Sequence, residues 1–110
     1  MDKDIIGLIT DFRDKRNWKQ FHNPKDLAIS INLEASELLE VFQWSGIDLE
    51  CSDKTDRIKE ELADVFIYSI LMAEYYGFSI DDMIRSKIRI NNEKYPEDKA
   101  KGTSKKYNEL

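Results

Sequence analysis

The sequence has little cysteine, glycine or proline, and each shortage excludes a class of protein. The single cysteine, Cys51, cannot form a disulfide within the chain or build a zinc site made of several cysteines. Four glycines and two prolines among 110 residues are few for a turn-rich β protein, so the composition favours helices. No apolar run approaches the ~18 residues of a membrane span, and the first ten residues lack the pattern of a signal peptide. We therefore expect a soluble, cytoplasmic protein that does not act at a membrane.

Basic residues are also in the minority. The 17 lysines and arginines against 22 aspartates and glutamates give a net charge of −5, which argues against a basic groove for nucleic acid. Hydrophobic residues make up 41% of the chain and aromatic residues 11%, which is enough for a core and excludes wholesale disorder. The length fits one domain. We predict a single domain over residues 1–110, in which residues 96–110 form a polar and extended tail.

Apolar periodicity and capping residues predict four helices. The first covers Lys3 to Lys15, and the second runs from Pro24, capped by Asn23, to about Trp44. The third starts near residues 54–56 and ends at Tyr76 before Gly77, and the fourth runs from Ile80 to Lys94.

The third helix contains a stretch, VFIYSILMA (residues 65–73), that is apolar nearly all round and is typical of a buried central helix. Four helices of this length cannot cover it completely. We therefore predict an all-α four-helix bundle that is completed by oligomerisation.

Two pairs of acidic residues fall on the apolar sides of the second and third helices. Glu34 and Glu37 are three residues apart on one helix, and Glu61 and Asp64 repeat the spacing on the next. Burying unpaired carboxylates is costly, and these helices offer few inward basic residues. A hard divalent cation, Mg²⁺ or Mn²⁺, would satisfy the oxygen ligands. The alternative is a helical interaction module whose acids form no metal site.

The two acidic pairs, Glu34-x-x-Glu37 and Glu61-x-x-Asp64, resemble the signature of the MazG-like all-α nucleoside triphosphate pyrophosphatase superfamily. The similarity is closest to its dCTP pyrophosphatase branch, and five segments carry it in order and spacing. They are WKQFHNP (18–24), LEVFQW (39–44), EELADVFIY (60–68), SKIRINNEKYP (86–96) and KKYNEL (105–110). Two positions differ from relatives of this kind: Leu33 stands where many have a further glutamate, and Ile9 where the animal dCTP enzyme has a histidine.

This resemblance implies a four-helix MazG-like fold, a homodimer or homotetramer, and Mg²⁺-dependent hydrolysis of a nucleoside triphosphate to the monophosphate and pyrophosphate. The expected substrate is dCTP or a modified dCTP, and a broad-specificity house-cleaning hydrolase with the same site is the alternative. The catalytic, metal-ligating role carries over to Glu34, Glu37, Glu61 and Asp64. The substrate-binding role carries over to Trp18, Lys19, Gln20, Phe21, His22, Trp44, Tyr68, Lys87, Asn91 and Tyr95.

The spacing of two aromatic residues adds an expectation about the base pocket. Trp44 near the end of the second helix and Tyr68 on the third each lie about two turns, ~10 Å, from an acidic residue. That distance approximates the reach from a bound triphosphate to its base. Lys87, Asn91 and Tyr95 follow one another at intervals of four residues, so they are expected to form one stripe on the fourth helix that faces the polyphosphate.

Overall fold

A computed structural model describes all residues from 1 to 110, and every regular element in it is helical. The α-helices are α1 (Lys3–Lys15), α2 (Pro24–Phe42), α3 (Thr55–Tyr76), α4 (Ile80–Lys94) and the short α5 (Glu97–Ala100). Single 3₁₀ turns lie at Lys19–Phe21, Ser52–Lys54 and Tyr107–Glu109. The all-α fold predicted from the sequence is confirmed. None of the helices combines the length and the apolarity that a membrane span needs.

The chain divides into two compact units, Met1–Gly77 and Phe78–Leu110. In the first unit α2 packs along α3, and α1 contacts α3. In the second unit α4 is followed by α5 and the last 3₁₀ turn. The organisation of residues 1–110 as one domain stays a prediction.

Local capping explains where the long helices begin and end. The Asn23 side chain accepts a hydrogen bond from the Asp26 amide at 2.9 Å, and Pro24 occupies the first turn of α2. The Ser79 hydroxyl accepts from the Asp82 amide at 3.3 Å and starts α4. At the end of α3, Gly77 adopts a left-handed conformation, φ 69°, that closes the last turn. These boundaries match the sequence predictions.

Two expectations about helix ends are wrong. The second helix ends at Phe42 because Gln43 is extended, and Trp44 lies outside the helix with a left-handed backbone, φ 68°. The tail is not extended throughout, because α5 forms directly after Pro96, with acidic residues in its first turn. In the same tail, Tyr107 packs edge-on against Tyr95, with 6.2 Å between the ring centroids.

The hydrophobic core of a single chain is small. Its buried apolar members all lie in the first unit: Ile9, Leu27, Val41, Cys51, Ile70, Leu71 and Ala73. The expectation that α3 is buried on nearly every side is therefore only partly right. Phe66, near the start of its apolar stretch, is 56% exposed, and Leu62 is also exposed.

We expect Gly77→Ala to lower the free energy of unfolding by about 1 kcal/mol, because an alanine is strained in the left-handed region. No atom stands within 4 Å of a Cβ built at this position, so the loss would come from the backbone and not from a clash. Gly7→Ala within α1 is the matched control, since a Cβ there also meets no atom within 4 Å. It should raise stability by roughly 0.5–1 kcal/mol. Chemical denaturation at one protein concentration measures both, and a Gly77→Ala variant as stable as wild type would contradict the capping role.

Candidate metal centre and adjoining cavity

The four acidic residues identified in the sequence come together where α2 packs on α3. Glu34 and Glu37 project from α2, and Glu61 and Asp64 from α3. One carboxylate oxygen from each residue can be chosen so that all lie within 4.8 Å of one another. The three-residue spacing puts each pair on one helix face, and the packing of the two helices brings the faces together.

Burial is unequal within this cluster. Glu34, Glu61 and Asp64 are half-buried, whereas Glu37 is exposed, contrary to the expectation that it would lie against protein. The Oε2 atoms of Glu34 and Glu61 are buried and have no hydrogen-bond partner. Buried acceptors without a donor are costly, so a cation or a proton that satisfied these two oxygens would stabilise the cluster.

The electrostatics of the cluster lead to the same conclusion. Burial, followed by contact with the Glu37 carboxyl and the charges of Asp64 and Glu61, raises the pKa of Glu34 to about 7. Burial also raises the pKa of Glu61, again with contributions from Glu37 and Asp64, while the charge of Arg57 opposes the shift. Near neutral pH the group therefore tends to retain protons unless a cation compensates its charge.

The donor set fits a hard divalent cation. All candidate ligands are carboxylate oxygens, with no histidine or cysteine among them, and this chemistry suits Mg²⁺ or Mn²⁺ better than zinc. A cation held by Glu34, Glu37, Glu61 and Asp64 would also satisfy the two orphaned oxygens. The residues present thus fit the metal that the sequence predicted.

A cavity of about 390 Å³ lies beside the carboxylates, within the first unit. Glu34 and Asp64 contribute to its wall, so it opens towards the cluster. The rest of its lining comes from α1, the loop after it, and α3: Leu8, Ile9, Phe12, Arg13, Trp18, His22, Ile67, Tyr68 and Leu71. This size lies within the ~300–1,000 Å³ of small-molecule pockets, and the mainly apolar wall suits a flat ring.

Aromatic contacts order the loop side of this cavity. Phe12 and Trp18 meet edge-on with 5.7 Å between centroids, and the Arg16 guanidinium stacks 3.7 Å from the centroid of Phe12. His22 meets Tyr68 edge-on at 6.4 Å. These contacts connect α1, the loop and α3 around the same space.

The two titratable aromatic residues remain neutral at pH 7. Burial and then the charge of Arg13 lower the pKa of His22, and its buried Nδ1 has no hydrogen-bond partner. Burial and then the nearby Glu34 carboxylate raise the pKa of Tyr68. The cavity therefore offers a neutral imidazole and a phenol hydroxyl to a ligand.

The structure brings together some of the predicted substrate-binding residues and leaves others apart. Trp18, His22 and Tyr68 line the cavity, and Phe21 joins them around a second, more open recess. Lys19 and Gln20 are exposed in the adjoining 3₁₀ turn, where the Gln20 amide donates to the Asn17 carbonyl.

Trp44 does not line the cavity and is 91% exposed in the single chain. Of the predicted stripe in the second unit, Lys87 and Asn91 belong to α4, whereas Tyr95 follows its last helical residue. The substrate-binding roles of these residues stay predictions.

Sequence reasoning missed the contribution of α1. Leu8, Phe12 and above all Arg13 form part of the cavity wall. A signal was present: Arg13 follows Ile9 by four residues and Ile6 by seven, which puts a charge on an apolar helix face.

The raised pKa values of Glu34 and Glu61 predict how the free energy of unfolding of the metal-free protein depends on pH. The ordinary pKa of Glu34 is 4.5 and its folded value is about 7, so between these values the folded protein binds more protons than the unfolded chain. The contribution of Glu34 to stability is therefore full below pH ~4.5 and is lost as the pH rises to ~7. We expect Glu34→Gln to gain stability relative to wild type from pH 5 to pH 8, measured by melting in chelator.

Glu60→Gln is the matched control, since Glu60 is exposed on α3 and lies outside the cluster. It should follow the wild-type pH profile. Millimolar Mg²⁺ should stabilise wild type most at the upper end of this pH range, because the ligands must be ionised to bind it. A Glu34→Gln profile parallel to that of wild type would contradict the shifted titration.

Comparisons with known proteins identify the family of the chain. Residues 29–110 match the model of the MazG-like family. The chain is 34% identical to human dCTP pyrophosphatase 1 over 113 residues and 32% identical to the mouse protein over 114 residues, each time over 98% of its own length. It spans 66% of the length of each of these relatives, slightly less than two thirds.

A solved structure is also similar. The crystal structure of a pyrophosphatase from Archaeoglobus fulgidus superposes with a TM-score of 0.79 at 35% sequence identity. The similarity covers 86% of this chain and 91% of that one. The helical fold, the paired acidic residues and these relatives lead to one conclusion: the chain belongs to the MazG-like family.

Proposed function

We propose that this chain is a metal-dependent nucleoside triphosphate pyrophosphohydrolase whose substrate is dCTP or a modified dCTP. The observation that supports this most directly is the position of four carboxylates, with oxygens within 4.8 Å of one another, at the side of a cavity of about 390 Å³. A charge-dense centre next to an apolar slot matches a ligand with a polyphosphate at one end and a base at the other. The names of the dCTP pyrophosphatase relatives support the choice of base.

In this proposal the carboxylates act as metal ligands and proton acceptors. Glu34, Glu37, Glu61 and Asp64 would hold Mg²⁺, with Mn²⁺ as a substitute. When bound, the cation supplies charge neutralisation at the phosphates and lowers the pKa of water. Water attacks the α-phosphorus, the bond to the bridging oxygen breaks, and the products are the monophosphate and pyrophosphate. One of the four carboxylates takes the proton that water loses, and we propose Glu37 for this role because its exposure leaves it accessible to water.

The cavity residues would bind the nucleoside. Trp18, His22 and Tyr68 offer aromatic surfaces and a hydroxyl donor, and Phe21 borders the same region. We keep Lys19, Gln20, Trp44, Lys87, Asn91 and Tyr95 as proposed substrate contacts. A cytoplasmic location also stays part of the proposal.

A broad-specificity house-cleaning hydrolase is the second candidate. The mainly apolar lining would accept more than one flat base, since stacking has little selectivity. A non-catalytic helical interaction module is less well supported, because it leaves the buried Oε2 atoms of Glu34 and Glu61 unsatisfied. Pyrophosphate release from a panel of natural and modified nucleotides separates these candidates.

We expect Asp64→Asn to reduce kcat by about 100-fold or more, because the metal acts in the transition state. Glu40→Gln is the matched control on the neighbouring helix: Glu40 is exposed, lies outside the carboxylate cluster and should be dispensable. The measurement is pyrophosphate release from dCTP at millimolar Mg²⁺. An Asp64→Asn enzyme with wild-type kcat would exclude the carboxylate cluster as the catalytic centre.

A homodimer or homotetramer is the assembly that we propose. The exposed Leu62 and Phe66 on α3, together with Leu33 on α2, leave apolar surface that a second copy can cover. Light scattering at micromolar concentration should give two or four times the chain mass of 13.0 kDa, and Phe66→Ser should shift it towards the monomer. A folded wild-type monomer under these conditions would contradict the assembly.

A further inference from the structure

Arg13 is a buried charge in the wall of the cavity to which the proposed chemistry assigns no task. Its side chain is only 6% exposed. Two carboxylates hold it: Nε donates to Asp14 Oδ1 at 2.8 Å, and Nη1 donates to Glu74 Oε2, from α3, also at 2.8 Å. The guanidinium is thereby fixed in position between α1 and α3.

These two bonds do not use all of its donors. A guanidinium carries five N–H groups. The structure gives no protein acceptor to Nη2 or to the second hydrogen of Nη1. Because Arg13 lines the cavity, a ligand there can supply the missing acceptors. The neighbouring α1 positions in the wall, Leu8, Ile9 and Phe12, are apolar, so Arg13 is the only fixed cation in this lining.

The charge balance around Arg13 determines what kind of acceptor it suits. Asp14 and Glu74 together more than compensate the single positive charge, which weakens its attraction for a distant phosphate. Three N–H groups of the guanidinium plane stay free, two on Nη2 and one on Nη1. A neighbouring pair of them, one from each nitrogen, matches two adjacent neutral acceptors, as when arginine recognises a base edge.

We propose that Arg13 is a specificity-determining residue that donates two parallel hydrogen bonds to the edge of the nucleobase in the cavity. The inference rests on the proposed function and deepens it. Cytosine (O2 and N3) and guanine (O6 and N7) present two adjacent acceptors. Thymine and uracil place the N3–H donor between O2 and O4, and adenine places its amino group between N1 and N7, so none of them offers two adjacent acceptors to both bonds. Glu74 is a positioning residue, because it acts only by holding the guanidinium.

The loop geometry agrees with this role. The main-chain carbonyl of Arg13 accepts hydrogen bonds from the amides of Arg16 at 3.2 Å and Trp18 at 3.1 Å. The turn that carries Trp18 into the cavity is therefore built on the same residue. One segment of α1 thus fixes both an aromatic wall and the donors that read the base edge.

The test is steady-state pyrophosphate release from dCTP, dGTP, dTTP and dATP by wild type and by Arg13→Gln, Arg13→Lys and Glu74→Gln. Arg13→Gln should raise KM for the preferred two-acceptor base by about tenfold or more, with kcat nearly unchanged, and should reduce its preference over dTTP by a similar factor. Arg13→Lys keeps the charge without the planar pair of donors, so it should lose the preference too. Glu74→Gln should also raise KM for this base, but by a smaller factor than Arg13→Gln does.

Lys15→Gln is the matched control, because it removes a positive charge from the exposed end of the same helix. It should keep the wild-type base preference. If Arg13→Gln does not fold, judged by its melting curve, Arg13→Lys decides the question. A preference that survives in Arg13→Lys, or an equal loss for all four nucleotides, would overturn the inference. Wild-type protein that releases no pyrophosphate from any nucleotide would instead contradict the proposed function.

Discussion

The packing of α2 against α3 is the constraint on which the site depends. Val41 and Leu27 on α2 and Ile70 and Leu71 on α3 are buried, and each such side chain contributes roughly 1.5–3 kcal/mol. The packing of α2 on α3, with these side chains buried, fixes the rotation of the two helices about their axes. It thereby forces the carboxylates of the site to face one another, although their charges repel. The apolar contacts offset the cost of a cluster that is unfavourable by itself.

The same constraint explains why the core of one chain is so small. Positions on α2 and α3 that a purely structural bundle would fill with apolar side chains hold Glu34, Glu61 and Asp64. A metal ion would stabilise the chain by binding only the folded state. A second chain would stabilise it by covering Phe66 and its neighbours. Stability and function are therefore linked through the same two helices.

Much of the first unit could be predicted from the sequence, because its signals are local. Asn23 with Pro24 and the terminal Gly77 define helix ends within a few residues, and a three-residue spacing puts Glu34 with Glu37 on one face. The sequence places the end of α2 at about Trp44, beyond its observed end at Phe42. The reason is that no strong stop signal precedes Ser45 and Gly46. The backbone conformation there depends on contacts that a linear pattern does not contain.

The ion pair between Arg13 and Glu74 could not be predicted in this way, since 61 residues separate the partners. Only the relative rotation of α1 and α3 brings them together. The exposure of Glu37 has a similar origin: helical periodicity gives its direction on α2 but not how far α3 extends over it.

The two charged features of the cavity suggest how a nucleotide would be oriented. At one end, Glu34 and Asp64 belong to an acidic cluster that repels a polyphosphate until a divalent cation is bound. The second charged feature is Arg13, whose charge is already neutralised by Asp14 and Glu74, so it attracts a phosphate only weakly. In the proposed complex the triphosphate would therefore bind most favourably at the cation, and the base at the guanidinium donors. The compensation of Arg13 by two carboxylates would therefore favour one binding direction and leave its donors free to discriminate between bases.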